Sequence, residues 1–193
     1  MPLSVQELIL KSNHVHSGVV KWGTSFSHKN SGIYIVSLYE DPEKLPSKGT
    51  QPQFCETAIH EWLERATDLK IDNNPPTYKE ITDRLKSFWH VTESILYIGK
   101  TKRSIESRLK KFFKHRPGES SPHRGGFWLK LLCNICDHYV HFVDVKKGSE
   151  AELELRMLQS FHEHIVQYSK ILHTENALFL PFANLELSKG KRK

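Results

Sequence analysis

The stretch that most constrains this chain runs from Ile95 to Phe113. It opens with Ile95-Leu96-Tyr97-Ile98, a short apolar run of residues that suit a buried strand. Gly99 stops the run, and Lys100, Thr101, Lys102 and Arg103 make a small basic loop. Ser104 reads as an N-cap, because its hydroxyl can accept from the free N–H groups of the next turn. The helix that follows carries Ile105, Leu109, Phe112 and Phe113 on one face, with Arg108, Lys110 and Lys111 on the flanks of that stripe. Strand, glycine, basic loop and basic helix in immediate succession predict a turn that offers positive charge and backbone N–H groups to a phosphate.

Upstream, Gly32-Ile33-Tyr34 opens another strand-like run, dense in Ile, Val and Tyr, that reaches Tyr39. Gly-Ile-Tyr in one strand and Tyr97-Ile98-Gly99 in a later one resemble the signature of the GIY-YIG nuclease family. Arg108 stands eleven residues after Tyr97, the distance at which that family carries its arginine. Leu153-Glu154-Leu155-Arg156-Met157-Leu158 is similar to the helical segment that supplies the family's glutamate. The resemblance covers residues 31–39 and 95–184.

The resemblance implies a catalytic set of Tyr34, Tyr97, Arg108 and Glu154, with Gly32 and Gly99 as accessory positions. Tyr34 is the implied base or relay for activating water. A phenol with a pKa of about 10 serves that role only where a metal or cation lowers its pKa. The guanidinium of Arg108 can clamp two phosphate oxygens and balance charge that grows in the transition state. Glu154 is the implied ligand of Mg²⁺, for which Mn²⁺ can substitute, and a single carboxylate suits an ion that keeps most of its water shell. Glu150, one helical turn earlier, is the alternative ligand. The family's closing Pro-x-x-Asn has the form of Pro181-Phe182-Ala183-Asn184, with Asn176 as a rival for the asparagine. Taken singly, each of these residues has a plainer reading: core tyrosines, a solvated helix arginine, a surface glutamate.

The net charge of +6 and pI of about 9.2 suit a polyanionic partner, a balance shared by ribosomal, membrane-surface and heparin-binding proteins. The expected DNA contacts are Lys100, Lys102, Arg103, Lys110, Lys114, His115, Arg116, His123 and Arg124, the last five in or beside a basic Ser/Pro/Gly-rich segment. No apolar run approaches the roughly 20 residues of a membrane span. The N-terminus lacks a basic-then-apolar signal pattern. Three cysteines make no disulfide framework. A cytoplasmic location, no membrane and no organic cofactor are therefore expected. Cys133-Asn134-Ile135-Cys136, with His138 and His141 behind it, has one half of a zinc pattern. A structural zinc site gathers a second pair from elsewhere, so a helix end packed on a strand is the favoured reading.

The expected architecture is α/β in content and α+β in arrangement: an antiparallel sheet of three core strands (32–39, 95–98 and 139–145) flanked by helices. Capping boxes at Ser4, Thr77 and Ser149 start three of those helices. Further helices are expected over 54–69 and 127–132. Residues 1–30 form an N-terminal extension, polar and turn-prone after residue 12. Residues 40–93 form a helical insertion that separates Tyr34 from Tyr97 by 63 positions. Residues 185–193 form a basic tail expected to lack structure. The function implied is a Mg²⁺-dependent endonuclease that hydrolyses phosphodiesters in double-stranded DNA. It most resembles a type II restriction enzyme cutting a short site as a homodimer. Alternatives are a repair, recombination or mobile-element nuclease, or a non-catalytic nucleic-acid-binding protein on the same scaffold.

Overall fold

Four antiparallel strands make the central sheet, in the order β1-β4-β2-β3. They are β1 (Gly18–Lys21), β2 (Gly32–Ser37), β3 (Ile95–Thr101) and β4 (Tyr139–Asp144). The computed structural model describes residues 2–71, 73–119, 126–168, 178–187 and 190–191. Strand β2 is buried at every position and sits between β4 and β3. Strand alternation gives it two faces. Ile33 and Ile35 pack with α1 (Val5–Lys11) and α5 (Glu150–Tyr168), while Tyr34 and Val36 join a second core beneath α4 (Ile105–Lys114).

The α+β class is as expected, but the sheet has four strands rather than three. β1 lies in the segment read as turns. Its four residues, Gly-Val-Val-Lys, are too short to show a period, and pairing with β4 from Gly18↔Phe142 to Lys21↔Tyr139 supplies what its sequence lacks. β3 also runs further than the apolar pattern. Lys100 and Thr101 pair with Ile33 and Gly32, so they are strand residues, not loop residues. The tail holds a small hairpin, β5 (Glu186–Leu187) with β6 (Gly190–Lys191). Main-chain pairing of this kind leaves no apolar signature in a basic sequence.

The insertion folds as α2 (Glu56–Arg65) and α3 (Tyr78–Lys86). It belongs to the body of the protein: Ile59, Trp62, Ile81, Leu85 and Trp89 share one core cluster with Tyr34, Val36 and Phe112. The capping boxes at Ser4 and Thr77 form with Glu7 and Glu80. The box expected at Ser149 does not. Glu150 rather than Glu152 reaches back, accepting from the Gly148 N–H at 2.9 Å, while Glu152 pairs with Arg156. Among the described residues no helix is long and apolar enough to cross a membrane.

β3 is an edge strand, and the turn at Pro181–Asn184 covers part of that edge. The Asn184 amide accepts from Ile98 N–H at 2.9 Å and donates to Ile98 C=O at 2.8 Å. Ala183 N–H adds a bond to Leu96 C=O at 2.9 Å. One side chain thus stands in for a neighbouring strand. Asn184→Ala would leave both Ile98 groups unpaired in a buried setting, at a cost of about 1–3 kcal/mol. Chemical denaturation should show that loss, with Asn184→Asp restoring only the accepted bond.

Glu93 ties the N-terminus to the loop before β3 by accepting from Leu3 N–H at 2.9 Å. It is buried, and burial pushes its carboxyl up to about 7 from 4.5. The unfolded chain therefore ionises first. Stability is highest below about pH 4.5 for this group and falls as pH rises to about 7. Glu93→Gln keeps the acceptor and should flatten that part of the stability–pH curve. A slope between these values that is unchanged in the variant would contradict the assignment.

Candidate active site

The site gathers at the end of β3, where α4 approaches one face of the sheet and α5 the other. In the β2–β3 register Tyr34 lies opposite Gly99. The Tyr34 ring occupies the space a side chain at residue 99 would need: a Cβ there would sit 2.6 Å from Tyr34 Cζ and 2.7 Å from its Oη. Gly32 is fixed by a similar crowding, since its Cβ would meet the Val143 carbonyl oxygen at 2.0 Å.

Tyr34 is only 1% exposed. Arg108 Nε donates to its Oη at 3.0 Å. The two tyrosine rings lie 6.0 Å apart at an angle of 47°. Burial raises the Tyr34 pKa above its ordinary value, against the pull of the Arg108 charge. Burial, then the neighbouring Tyr34 and Glu154, push Tyr97 well above the tyrosine range. Both phenols are therefore neutral in the resting site at physiological pH.

Tyr97, Arg108 and Glu154 line an open cleft of about 600 Å³ with Lys100, Lys102, Arg103 and Lys111; Thr101 and Ser107 complete it. Five cations thus surround one carboxylate. Lys100 points to the α5 side of the sheet, as its pairing with Ile33 requires, and its Nζ donates to Glu154 Oε2. Of the sequence-predicted residues, Tyr97, Arg108, Glu154, Lys100, Lys102 and Arg103 line this one space, and Tyr34 sits directly beneath it.

Others are elsewhere. Lys110 and Lys114 line a separate hollow of about 360 Å³ on the opposite flank of α4, with Phe26 and Phe113. His115 is buried, with Nδ1 3.2 Å from a Glu119 carboxylate oxygen; Arg116 is exposed, its backbone N–H bonded to the same carboxylate. Asn184 holds the β3 edge and does not line the cleft. His123, Arg124 and Asn176 lie outside the described residues. Glu150 is fully buried at the start of α5 and is not a cleft residue; its own backbone N–H and that of Gly148 hold its carboxyl below the usual range.

The α4 N-terminus does not offer N–H groups to a phosphate, contrary to the sequence-based expectation. Ile105 N–H donates to Asn30 C=O, Glu106 N–H to His28 C=O, and Ser107 N–H to the Ser104 hydroxyl. The loop before β2 has filled that role, so anion binding in the cleft falls to side chains. Sequence reasoning missed Ser107, Thr101 and Lys111 as lining residues. Helical spacing held the signal: Ser104, Ser107, Arg108 and Lys111 share one face of α4, whereas Lys110 and Lys114 point away from Arg108.

The donor set fits one kind of metal site. Among the described residues Glu154 is the sole carboxylate lining the cleft, and no group of three or more His, Cys, Asp or Glu could hold an ion. A Mg²⁺ ion that keeps its waters and shares substrate oxygens fits one carboxylate; an all-protein cage does not. Cys133 and Cys136 are exposed, and His141 is engaged instead by His16 and the Tyr39 carbonyl. No family model, curated protein or solved structure matches the chain.

Gly99→Ala should displace the Tyr34 ring, because the new methyl would meet a buried phenol already held by Arg108. Overpacking of this kind typically costs about 1–3 kcal/mol. A thermal melt and a tyrosine titration check it: the variant should melt lower, and one phenol should titrate nearer the ordinary range. An unchanged melt would show that the ring has room to move.

Proposed function

We propose that this chain is a phosphodiester hydrolase of the GIY-YIG type, acting as an endonuclease on double-stranded DNA. The observation that carries this reading is the Arg108–Tyr34 hydrogen bond, with the Tyr97 ring beside Tyr34 and Glu154 across a cationic cleft. Lys102, Arg103 and Lys111 supply attraction for a phosphate backbone. Arg108 uses Nε on Tyr34, which leaves its terminal nitrogens for the oxygens of the scissile phosphate.

In the resting site the Tyr34 hydroxyl accepts from Arg108. Tyr34 acts as a proton relay through its remaining acceptor position, while Arg108 keeps Nε on Tyr34 and turns its terminal nitrogens to the phosphate. Water then attacks phosphorus and gives its proton to Tyr34, which passes its own to solvent in the open cleft; the bond to the leaving sugar oxygen breaks, and that oxygen takes a proton from the same solvent. Glu154 would hold Mg²⁺ or Mn²⁺, which neutralises charge on the phosphate oxygens when bound. A type II restriction role is the form of this reading we favour: two copies about a two-fold axis would cut both strands of a short palindrome.

Arg108→Lys, Glu154→Gln and Tyr34→Phe should each slow cleavage on the order of 100-fold or more, because each removes one preorganised contact. Plasmid cleavage rates with and without Mg²⁺, beside a melting curve for each variant, make the test. Normal cutting by Glu154→Gln would sink the assignment of α5 to the site. Affinity for duplex DNA should fall steeply as salt rises, because the cleft binds through phosphate contacts. A flat response between low and physiological salt would oppose a phosphate-dominated interface.

A further inference from the structure

The ion pair between Lys100 and Glu154 bears on how the site is loaded. Glu154 is the one carboxylate in a cleft of five cations among the described residues, and Lys100 already occupies one of its oxygens. The two side chains are 39% and 19% exposed, so the pair is shielded at the carboxylate but open to solvent from the lysine side. The two partners come from opposite sides of the site's scaffold. Lys100 is fixed by its β3 register with Ile33, and Glu154 by α5, whose Leu153 and Met157 are buried against the sheet. Neither backbone needs to move for the contact to break, because the lysine stem is long and has an open cleft beside it.

We propose that the Lys100 ammonium is a resident counter-ion of Glu154 that a divalent cation displaces, and that the freed Lys100 then turns into the cleft to meet phosphate. This inference rests on the hydrolase reading for its phosphate but not for its metal exchange. Its physical basis is competition. A carboxylate paired for nine-tenths of the time shows a tenfold lower apparent affinity for any other cation. Exchange also couples the two ligands. The metal releases a lysine toward DNA, so each ligand raises the affinity for the other by the same factor. Without DNA the site stays weakly metallated; with DNA it loads. The pair therefore discourages metal-driven chemistry on water before substrate arrives.

The test is Mn²⁺ binding to the DNA-free protein, followed by electron paramagnetic resonance of the free ion, for the natural chain, Lys100→Met and Glu154→Gln. Lys100→Met should bind Mn²⁺ about tenfold more tightly, and Glu154→Gln should lose the site. Removing a nearby positive charge could also raise affinity by relieving repulsion, so a second measurement looks at the lysine itself. With ¹³C-methylated lysines, the Lys100 signal, identified by its loss in Lys100→Arg, should move toward the exposed lysines when Mg²⁺ is added, and should not move in Glu154→Gln. Equal or weaker Mn²⁺ binding by Lys100→Met, or a Lys100 signal indifferent to Mg²⁺, overturns the exchange. Cleavage separates the two readings. Exchange without any cutting by the natural chain would remove the hydrolase assignment and leave the exchange standing. Cutting without exchange would do the reverse.

Discussion

The Tyr34 ring lies over the β3 backbone at Gly99, and the rest of the site follows from that close approach. The ring can cross the strand only because residue 99 has no Cβ. Its position sets the hydroxyl beside Arg108 Nε and the ring beside that of Tyr97. Arg108 is in turn fixed by α4, whose Ile105, Leu109 and Phe112 are fully buried. Moving the ring would disturb the strand pair, the helix and the arginine together. A hydroxyl held this way loses little freedom on meeting a substrate, which is what preorganisation requires.

The site also depends on β3 being an edge. An interior strand has neighbours on both sides, and no cleft can open along it. Here β2 covers one side, the Pro181–Asn184 turn covers the other at Leu96 and Ile98, and the end beyond is left to polar residues. Helices on opposite faces of the sheet can then meet around that end, α4 with Arg108 and α5 with Glu154. Clustering five cations costs repulsion, and the scaffold holds them in place through two apolar cores that do not depend on the cleft.

The insertion shows how little sequence distance matters once strands pair. Residues 40–93 stand between the two glycine–tyrosine triplets, yet Tyr34 and Tyr97 end as ring neighbours. Trp62, Ile81 and Trp89 pack into the same core as those tyrosines, so the insertion adds to the body of the fold instead of leaving it as a separate lobe. Its free cysteine, Cys55, marks the start of α2, where the chain bonds back to Leu131.

Local features were legible in the sequence because neighbouring residues decide them. The caps at Ser4, Thr77 and Ser104 each formed, since a hydroxyl needs only the N–H groups three residues on. β2 was readable from its density in Ile, Val and Tyr, though it ends at Ser37 and not Tyr39, and β4 and the stripe of α4 were readable from period. The grouping of Tyr97, Arg108 and Glu154 came only from motif resemblance, and the tertiary structure brings those side chains to one cleft. Tertiary structure alone decided the remainder. β1 is a strand because β4 offers it partners. The α4 N-terminus is closed to phosphate because carbonyls of Asn30 and His28, distant in sequence, reach it first. Glu154 rather than Glu150 faces the cleft because the first turn of α5 buries the earlier carboxylate. In each case the deciding group belongs to another part of the chain, and a backbone donor or a buried acid takes whichever partner folding brings within bonding distance.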